Sequence, residues 1–343
     1  MQTVSLRSTF AEALNAAQRQ GAVVVVDENG RAAGVIGDEE IRRALLRSVP
    51  PSADVQTIMN PAFPAVGDAA ELFEIRAILT EGRHESAVRV DASGVPLELI
   101  SRADVGAGAP PVDTAVLMVG GEGQRLRPLT ANTPKPLLPV AGKPILDHII
   151  EHLVRFGVKR VYLAVGYLAE QIEERYGNGR ALGVDIAYIR EPRPLGTAGA
   201  ISLARLPIDR PLLVMNGDIL TDIDVRAMAL WHDREHSAFT MAVRPYHHRV
   251  PFGVVRLLES RIVSVEEKPT LTQWTNAGIY LLSPEATAAI PRGGYCDMTV
   301  LIESLLRDGR RIAAFPLREY WCDIGRPDDY EAANVAWSER LGR

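Results

Sequence analysis

The sequence predicts an α/β protein whose doubly wound, mainly parallel sheet is preceded by a small α+β domain. From residue 115 onward, apolar strand-like runs alternate with amphipathic helices, which is the pattern of repeated βα units. Before residue 108, one strand–turn–strand unit occurs twice. The Gly- and Pro-rich segment 105–113, VGAGAPPVD, separates these two patterns. It predicts a boundary between domains at 1–108 and 113–343.

The composition favours a small-molecule partner over a nucleic acid. The 343 residues carry a net charge of −5, and 47% of them are hydrophobic. A negative chain gives no reason to expect nucleic acid as a partner. No apolar run is long enough to cross a bilayer, and the N-terminus does not have the pattern of a signal peptide. We therefore expect a cytoplasmic protein without a membrane partner.

The first part of the chain contains an internal repeat. Residues 22–36, AVVVVDENGRAAGVI, and 86–100, SAVRVDASGVPLELI, share a strand, an Asp-x-x-Gly turn and a second strand. This layout predicts two β-hairpins, each followed by a helix start, at 38–40 and at 101–104. An amphipathic helix precedes each hairpin, and the two apolar stripes comprise Phe10, Leu14 and Ala17 and, in the second copy, Leu72, Ile75, Ile78 and Leu79.

The repeat resembles a tandem pair of CBS domains, small modules that commonly bind adenosine nucleotides. In that family a Ser or Thr and an Asp three residues later hold the ribose. Ser101 and Asp104 match this pattern in the second copy, whereas Gly37 and Glu40 stand at those places in the first. The resemblance implies at most one intact site for a regulatory nucleotide, and a homo-oligomer. A packing module without a ligand, and a helix cap at Ser101 and Asp104, are the alternatives.

Beyond the linker, the βα pattern predicts an open sheet with ligands at the carboxyl ends of its strands. Strands are predicted at 115–119, 161–165, 186–189 and 212–215, and helices at 145–156 and 169–176. His148 and His152 lie one helical turn apart within 145–156. We expect a solvated face there rather than a metal pair, because no third ligand is in view.

A glycine-rich loop follows the first of these strands. Gly120, Gly121 and Gly123 come directly after the apolar run 115–119, and basic residues follow at Arg125 and Lys135. Backbone N–H groups in such a loop can approach a phosphate chain closely, and cations beyond it can neutralise the charge. Because glycine-rich loops are common, an ordinary strand–loop turn is the alternative.

Carboxylates at other strand ends strengthen the phosphate hypothesis. Asp218 follows the apolar strand 212–215, and Asp323 lies at a second apolar-to-glycine transition, WCDIG. Mg²⁺ is typically bound by one or two carboxylates together with substrate phosphates. Each aspartate alone is more often a turn residue or a cap, so the combination with the loop carries the prediction.

The segment GGEGQRLRPLTANTPKPLLPVAGKP resembles the opening motif of the sugar-1-phosphate nucleotidyltransferases, also called nucleotide-sugar pyrophosphorylases. That family has a Rossmann-like catalytic domain. Its later motifs occur here in the family's order: PLGTAG at 194–199, NGD at 216–218, EKP at 267–269, NAG at 276–278 and WCDIG at 321–325. The resemblance implies that a nucleoside triphosphate and a sugar 1-phosphate are the substrates and that Mg²⁺ is the cofactor.

The resemblance also implies a role for individual residues. Catalytic contacts to the phosphates would come from Arg125, Lys135 and Lys268. The nucleotide would be bound by Gly120, Gly121, Gly123, Gln124, Gly196 and Thr197. The sugar phosphate would be bound by Glu267, Lys268, Asn276 and Gly278, and the metal by Asp218 and Asp323.

The motifs leave the base and the sugar open. PLGTAG and the GKP ending of the first motif favour GTP with a hexose or hexosamine 1-phosphate, for surface glycan synthesis. UTP and dTTP are alternatives, because a few pocket contacts decide the base. Gln124 departs from the usual Thr or Ser, and Glu122 adds a negative charge inside the loop. A nucleotide-sensing homologue without catalysis is the alternative from another functional class.

Overall fold

The N-terminal part of the protein forms two small three-stranded sheets. The computed structural model describes residues 1–108, 112–204, 206 and 209–342; positions 109–111 of the predicted linker lie outside them. Each sheet pairs a short parallel strand with one of the two predicted hairpins, in the orders β1-β2-β3 and β4-β5-β6. The elements are β1 (Thr3–Ser5), α1 (Phe10–Gln20), β2 (Val23–Val26), β3 (Ala32–Ile36), α2 (Asp38–Leu46), β4 (Ala65–Gly67), α3 (Leu72–Glu81), β5 (Ser86–Val90) and β6 (Pro96–Ser101).

Local sequence explains the first helix. Thr9 caps the N-terminus of α1 in a capping box: the Glu12 N–H donates to Thr9 Oγ1, and the Thr9 N–H donates to Glu12 Oε2 at 2.7 Å. Gly21 ends the helix in the left-handed conformation, at φ 79°. The stripe that begins at Phe10 packs on β2, as its spacing predicts.

Two predictions for the second repeat are wrong. Residues 102–106 form turns rather than a helix start, because the Asp104 carboxylate accepts bonds from the N–H and hydroxyl of Ser101 and holds a closed local turn. In α3 only Ile75 and Leu79 are buried, whereas Leu72 and Ile78 are 55% and 39% exposed. The underlying sheet is narrow, so it covers one edge of the predicted stripe.

The C-terminal part is built on a seven-stranded sheet that confirms the α/β prediction. Its elements are β7 (Thr114–Met118), β8 (Pro139–Val140), β9 (Lys143–Pro144), α4 (Ile145–Arg155), β10 (Arg160–Val165), α5 (Ala169–Tyr176), β11 (Asp185–Arg190), α6 (Gly196–Gly199), β12 (Leu212–Asn216), β13 (Ile219–Thr221), α7 (Val225–Arg234), β14 (Phe239–Arg249), β15 (Val254–Leu258), β16 (Arg261–Glu266), β17 (Thr270–Leu282), α8 (Pro284–Ala288), α9 (Met298–Arg307), β18 (Ile312–Pro316), β19 (Trp321–Asp323) and α10 (Pro327–Leu341).

The strand order of this sheet is β11-β10-β7-β12-β17-β14-β18. Strands β11, β10, β7 and β12 are parallel, and β17 is antiparallel to both of its neighbours. The chain steps outward from β7 to β10 on one side and later to β12 on the other. Strand β7 therefore marks the point where the winding reverses, which is where ligands of open α/β sheets bind.

The histidines of α4 are buried, so the prediction of a solvated face is wrong. His148 and His152 are 5% and 6% exposed. Each Nε2 donates to a backbone carbonyl at 2.8 Å, on Val140 and Ile223 respectively, and Trp337 Nε1 donates to His148 Nδ1 at 3.1 Å. These bonds satisfy the polar atoms that burial would otherwise leave unpaired, so the two rings serve packing rather than metal binding.

The N-terminal part packs on the sheet through α2, which lies against β18. Arg42 is 1% exposed there, and its guanidinium lies 4.0 Å from the centre of the Phe315 ring. It donates to the carbonyl of Pro316 at 2.6 Å and to Glu319 Oε1 at 2.5 Å. A second contact joins Arg43 to Glu235, the residue that follows α7, at 2.6 Å. None of the helices described is both long enough and apolar enough to span a membrane.

Candidate active site

Three glycines bring the carboxyl ends of β7, β10 and β12 together. The N–H of Gly217 donates to the carbonyl of Met118 at 2.9 Å, and the N–H of Tyr167 donates to the carbonyl of Gly120 at 3.0 Å. A Cβ on Gly120 would lie 3.0 Å from the backbone nitrogen of Gly166, and one on Gly217 would lie 2.4 Å from Val119 Cγ1. These glycines therefore serve close approach of the strands.

The glycine-rich loop leaves open space above this edge. A Cβ on Gly121 would have no atom within 4 Å, so the backbone there faces a cleft rather than protein. Gly123 adopts φ +60°, and its carbonyl accepts a 2.8 Å bond from the buried hydroxyl of Thr130. The cleft holds about 360 Å³ and is lined by Met118, Val119, Gly121, Gly123, Gln124, Arg125, Lys135, Pro136, Gly217 and Asp218.

Lys135 and Asp218 form an ion pair on the wall of this cleft. Lys135 Nζ lies 2.5 Å from Asp218 Oδ2, and the Lys135 side chain is 11% exposed. The other carboxylate oxygen, Asp218 Oδ1, is buried and has no hydrogen-bond partner. A buried unpaired carboxylate oxygen is costly unless a cation or a donor joins it. The wall therefore offers a ligand atom beside a fixed positive charge.

Asp323 lies next to this pair. Strand β19 pairs with β13 so that Asp323 stands opposite Ile219, and the N–H of Ile324 donates to the Asp218 carbonyl at 3.0 Å. Burial and the Asp218 charge raise the pKa of Asp323, and Lys135 and Arg125 partly oppose this. A divalent cation beside these two carboxylates would offset the negative charge that raises the pKa of Asp323.

The donor set fits a divalent cation that also binds substrate oxygens. Within 1–108, 112–204, 206 and 209–342, no three His, Cys, Asp or Glu side chains cluster as a complete protein site. Asp218 and Asp323 supply oxygen ligands, and Asp218 Oδ1 is unpaired. This pattern suits Mg²⁺, which is commonly held by one or two carboxylates plus phosphate oxygens.

The two unusual loop residues interact with each other. Gln124 Nε2 donates to Glu122 Oε2 at 2.8 Å, and Arg127 lies 3.9 Å from the same carboxylate oxygen. Glu122 therefore engages neighbouring side chains of its own loop. Gln124 and Arg125 both line the cleft, as the predicted nucleotide contacts require.

The PLGTAG segment at 194–199, predicted to bind the nucleotide and called the base loop from here on, is held by residues that no sequence motif singles out. The N–H of Thr197 donates to Asp297 Oδ1 at 3.2 Å, and its hydroxyl accepts from the N–H of Met298 at 2.8 Å. Gly196 adopts φ +79°, and a Cβ there would lie 2.7 Å from Asp297 Oδ1. Asp297 reads as an ordinary residue before a helix, so only the fold reveals its contact with the loop.

The predicted sugar residues fall in two places. Gly278 lies beside the NGD turn, because a Cβ on it would be 2.8 Å from Asn216 Nδ2, and its N–H donates to Asn276 Oδ1 at 2.8 Å. Glu267 and Lys268 instead follow β16, where Nζ and Oε1 lie 3.8 Å apart and the side chains are 72% and 54% exposed. Asn276 and Gly278 are therefore held in the fold, whereas Glu267 and Lys268 lie on an exposed segment.

Ser101 and Asp104 bind each other. Ser101 Oγ donates to Asp104 Oδ2 at 2.6 Å, and these bonds lower the pKa of Asp104. A separate cavity of about 540 Å³ lies beside α2 and is lined by Glu39, Glu40, Arg43, Leu46, Arg47, Thr57, Ile58, Met59, Asn60 and Pro61.

Comparison with known proteins decides the family. The family model described as nucleotidyl transferase matches residues 114–340. The chain belongs to the nucleotidyl transferase family. Residues 1–47 match the CBS domain model, which confirms the CBS resemblance for the first repeat.

Relatives of this nucleotidyl transferase include two enzymes named for guanylyl transfer. Mannose-1-phosphate guanylyltransferase of Mycobacterium tuberculosis is 35% identical over 222 residues, which are 63% of this chain and 62% of the relative. Mannose-1-phosphate guanylyltransferase catalytic subunit beta of Drosophila melanogaster is 35% identical over 224 residues, 63% of this chain and 60% of the relative. The chain thus spans about three fifths of the length of these curated relatives.

Solved structures support the fold. A putative glucose-1-phosphate thymidylyltransferase from Bacillus anthracis has a TM-score of 0.53 at 23% identity and covers 66% of this chain and 95% of its own. HddC from Yersinia pseudotuberculosis has a TM-score of 0.52 at 26% identity and covers 65% of this chain and 99% of its own. HddC was also solved in a complex with GMP-PN.

Two alanine substitutions separate the roles of the glycines in this nucleotidyl transferase. Gly121→Ala places a methyl in open space at the cleft, so we expect an unchanged melting temperature and, for a ligand whose phosphates occupy the cleft, a roughly tenfold weaker affinity. Gly217→Ala drives a methyl into Val119, and overpacking of this kind costs about 1–3 kcal/mol of folding free energy. Thermal unfolding measures the stability, and calorimetric titration with a nucleoside triphosphate measures the affinity. Equal loss of stability in the two variants would contradict an open cleft at Gly121.

Proposed function

We propose that this protein is a sugar-1-phosphate nucleotidyltransferase that joins GTP to a hexose or hexosamine 1-phosphate and releases pyrophosphate. The observation that carries the proposal is the Lys135–Asp218 pair, with its free carboxylate oxygen, on the wall of the glycine-lined cleft. The relatives named mannose-1-phosphate guanylyltransferase, and HddC with its GMP-PN complex, support GTP as the nucleotide.

The proposed chemistry needs no protein nucleophile. A phosphate oxygen of the sugar 1-phosphate attacks the α-phosphorus of GTP, the bond to the bridging oxygen breaks, and pyrophosphate leaves with that electron pair. A phosphate monoester has a second pKa near 6, so little proton remains to be removed at neutral pH. The protein contributes position and charge: Gly121 and Gly123 line the cleft and admit the phosphate chain, Gly120 lies at its base beside Gly166, and Arg125 and Lys135 face the negative charge that develops.

The other substrate contacts complete the proposal. Gly196 and Thr197 would border the base, with Gln124 nearby on the loop. Asn276 and Gly278 would lie along the sugar. Glu267 would bind the sugar hydroxyls, and Lys268 the sugar phosphate, which requires the exposed segment after β16 to close over the bound substrate.

Asp218 and Asp323 would hold Mg²⁺. An ion held there would supply positive charge opposite the triphosphate and the leaving pyrophosphate. The protein's part is to keep the two carboxylates together through the β13–β19 pairing and to keep Lys135 on Oδ2, which leaves Oδ1 for the ion.

A panel of GTP, UTP, dTTP, CTP and ATP against mannose, glucose and hexosamine 1-phosphates tests this function. Pyrophosphate release is measured with Mg²⁺ and again with EDTA. We expect turnover that is fastest with GTP and is lost with EDTA. Turnover confined to UTP or dTTP would support nucleotidyl transfer but reject GTP as the nucleotide. No turnover with any pair of substrates would reject the proposal of catalytic activity and favour the nucleotide-sensing alternative.

For the N-terminal part we propose a regulatory role in a homo-oligomeric, cytoplasmic enzyme of surface glycan synthesis. On this proposal residues 1–108 are a CBS pair, residues 113–343 are the catalytic domain, and an adenosine or guanosine nucleotide binds at Ser101 and Asp104. The Asp104 carboxylate must then exchange its bonds to Ser101 for ribose hydroxyls. Calorimetry with AMP, ATP and GMP on the full chain and on Asp104→Asn tests this. Equal affinity in both proteins would reject the site.

A further inference from the structure

We infer that the hairpin formed by β15 and β16 is a dimer interface that packs against the same hairpin of a second copy of this chain. The two strands connect the outer ends of β14 and β17 and pair only with each other among the described residues. Every residue of β16 is exposed, and so are four of the five residues of β15. A lone two-stranded hairpin is marginally stable in water.

The register sorts the hairpin into one wholly apolar face and a second face that carries all the paired polar and charged residues, which we call the polar face. Val255 stands opposite Val265, and Leu257 stands opposite Ile262, so these four apolar side chains share a face. Their exposures are 45%, 62%, 61% and 65% in that order. The other face carries the cross-strand pairs of Val254 with Glu266, Arg256 with Ser264, and Leu258 with Arg261.

A β-bulge maintains this segregation. The pairing shifts between Arg256 and Leu257, where Val263 is the additional residue of β16. Without it, strict alternation along β16 would place Ile262 and Val265 on opposite faces. Bulges also twist a strand edge and oppose the addition of further strands, so face packing is favoured over edge pairing.

The size and charge of this face fit a second copy. The four face residues offer about 100 Å² each, or about 800 Å² over two copies, which is the size of a small and weak interface. The apolar face carries no charge, so two copies can meet about a two-fold axis without burying an ion. The hairpin's charges, on Arg256, Glu259, Arg261 and Glu266, are balanced, which argues against an anionic membrane as the occupant.

The position of the hairpin gives the contact a consequence. Glu267 and Lys268 follow β16 directly, and a Cβ on Gly253 before β15 would lie 3.0 Å from Glu267 Oε2. Pairing of two hairpins would therefore order the segment that carries both residues. Only this consequence rests on the proposed function; the interface itself does not.

The oligomeric state of the full chain, measured by light scattering without substrates, tests the inference. We expect an even oligomer of the 37.4 kDa chain whose mass is halved by Leu257→Lys combined with Ile262→Lys. Two matched variants should keep the parental mass: Ser264→Lys on the polar face, and Phe73→Lys on α3, where the side chain is 71% exposed. A monomeric parent, or an unchanged mass in the double variant, would overturn the inference, as would a monomer that sediments with phosphatidylserine vesicles.

A second measurement does not depend on the folding of the double variant. Leu257→Cys should form a cross-linked dimer with a short bismaleimide, whereas Ser264→Cys on the opposite face should not. The parent protein provides the background, with Cys296 buried and Cys322 partly buried. Equal cross-linking at the two positions would overturn the face assignment.

Discussion

Replacing Asp218 by asparagine is expected to lower kcat for pyrophosphate release by roughly 10²- to 10³-fold, the usual cost of removing one electrostatic contact to a developing charge. The amide oxygen can still accept from Lys135, so the cleft wall keeps its shape. What is lost is the negative charge at Oδ1, the unpaired oxygen proposed as a metal ligand. The concentration of Mg²⁺ needed for half-maximal rate should rise as well.

Asp222→Asn is the matched control for this variant. Asp222 stands close by in the sequence, but its carboxylate binds Arg340 on the surface and its side chain is 35% exposed. We expect its kcat and its magnesium requirement to match those of the parent. If Asp218→Asn retained full activity at low Mg²⁺, the assignment of this wall as the reaction centre would be wrong.

The sheet and the cleft could be predicted from the sequence because their signals are local. The apolar run 115–119, followed by glycines, becomes β7 and the open backbone at Gly121. Asp218 follows β12 of the parallel sheet, so its place at the edge where the parallel strands end follows from topology. Asp323 is brought beside Asp218 by the antiparallel pairing of β19 with β13, a contact between distant segments that no local pattern predicts.

Other features depend on contacts between distant segments. His148 and His152 have the spacing of a surface pair, yet both side chains are buried in the fold. Trp337 contacts His148, and the carbonyl of Ile223 accepts a bond from His152. Asp297 lies 100 residues from Thr197, so its bond to the base loop has no local signal. In β15 and β16 alternation predicts strands, but only the register and its bulge show that four apolar side chains share one exposed face.

Arg42→Ala is expected to destabilise the protein by about 3–5 kcal/mol, the range found when one member of a buried ion pair is removed. Glu319, with a side chain 19% exposed, would lose the guanidinium that neutralises it. The carbonyl of Pro316 would lose its donor, and Phe315 would lose the cation over its ring. Urea unfolding followed by circular dichroism measures the loss, and we expect an early transition as α2 separates from β18.

Arg7→Ala is the matched control for this variant, because it removes an exposed arginine from the same N-terminal part. Arg7 pairs with Glu28, and the two side chains are 82% and 73% exposed. Such a pair contributes about 0–1 kcal/mol, because water and salt already screen both charges. The difference between the two variants therefore reports the docking of α2 rather than the loss of an arginine. If Arg42→Ala unfolded at the same urea concentration as Arg7→Ala, the N-terminal part would not be held against the sheet in solution, and nucleotide binding there would have no route to the cleft through this contact.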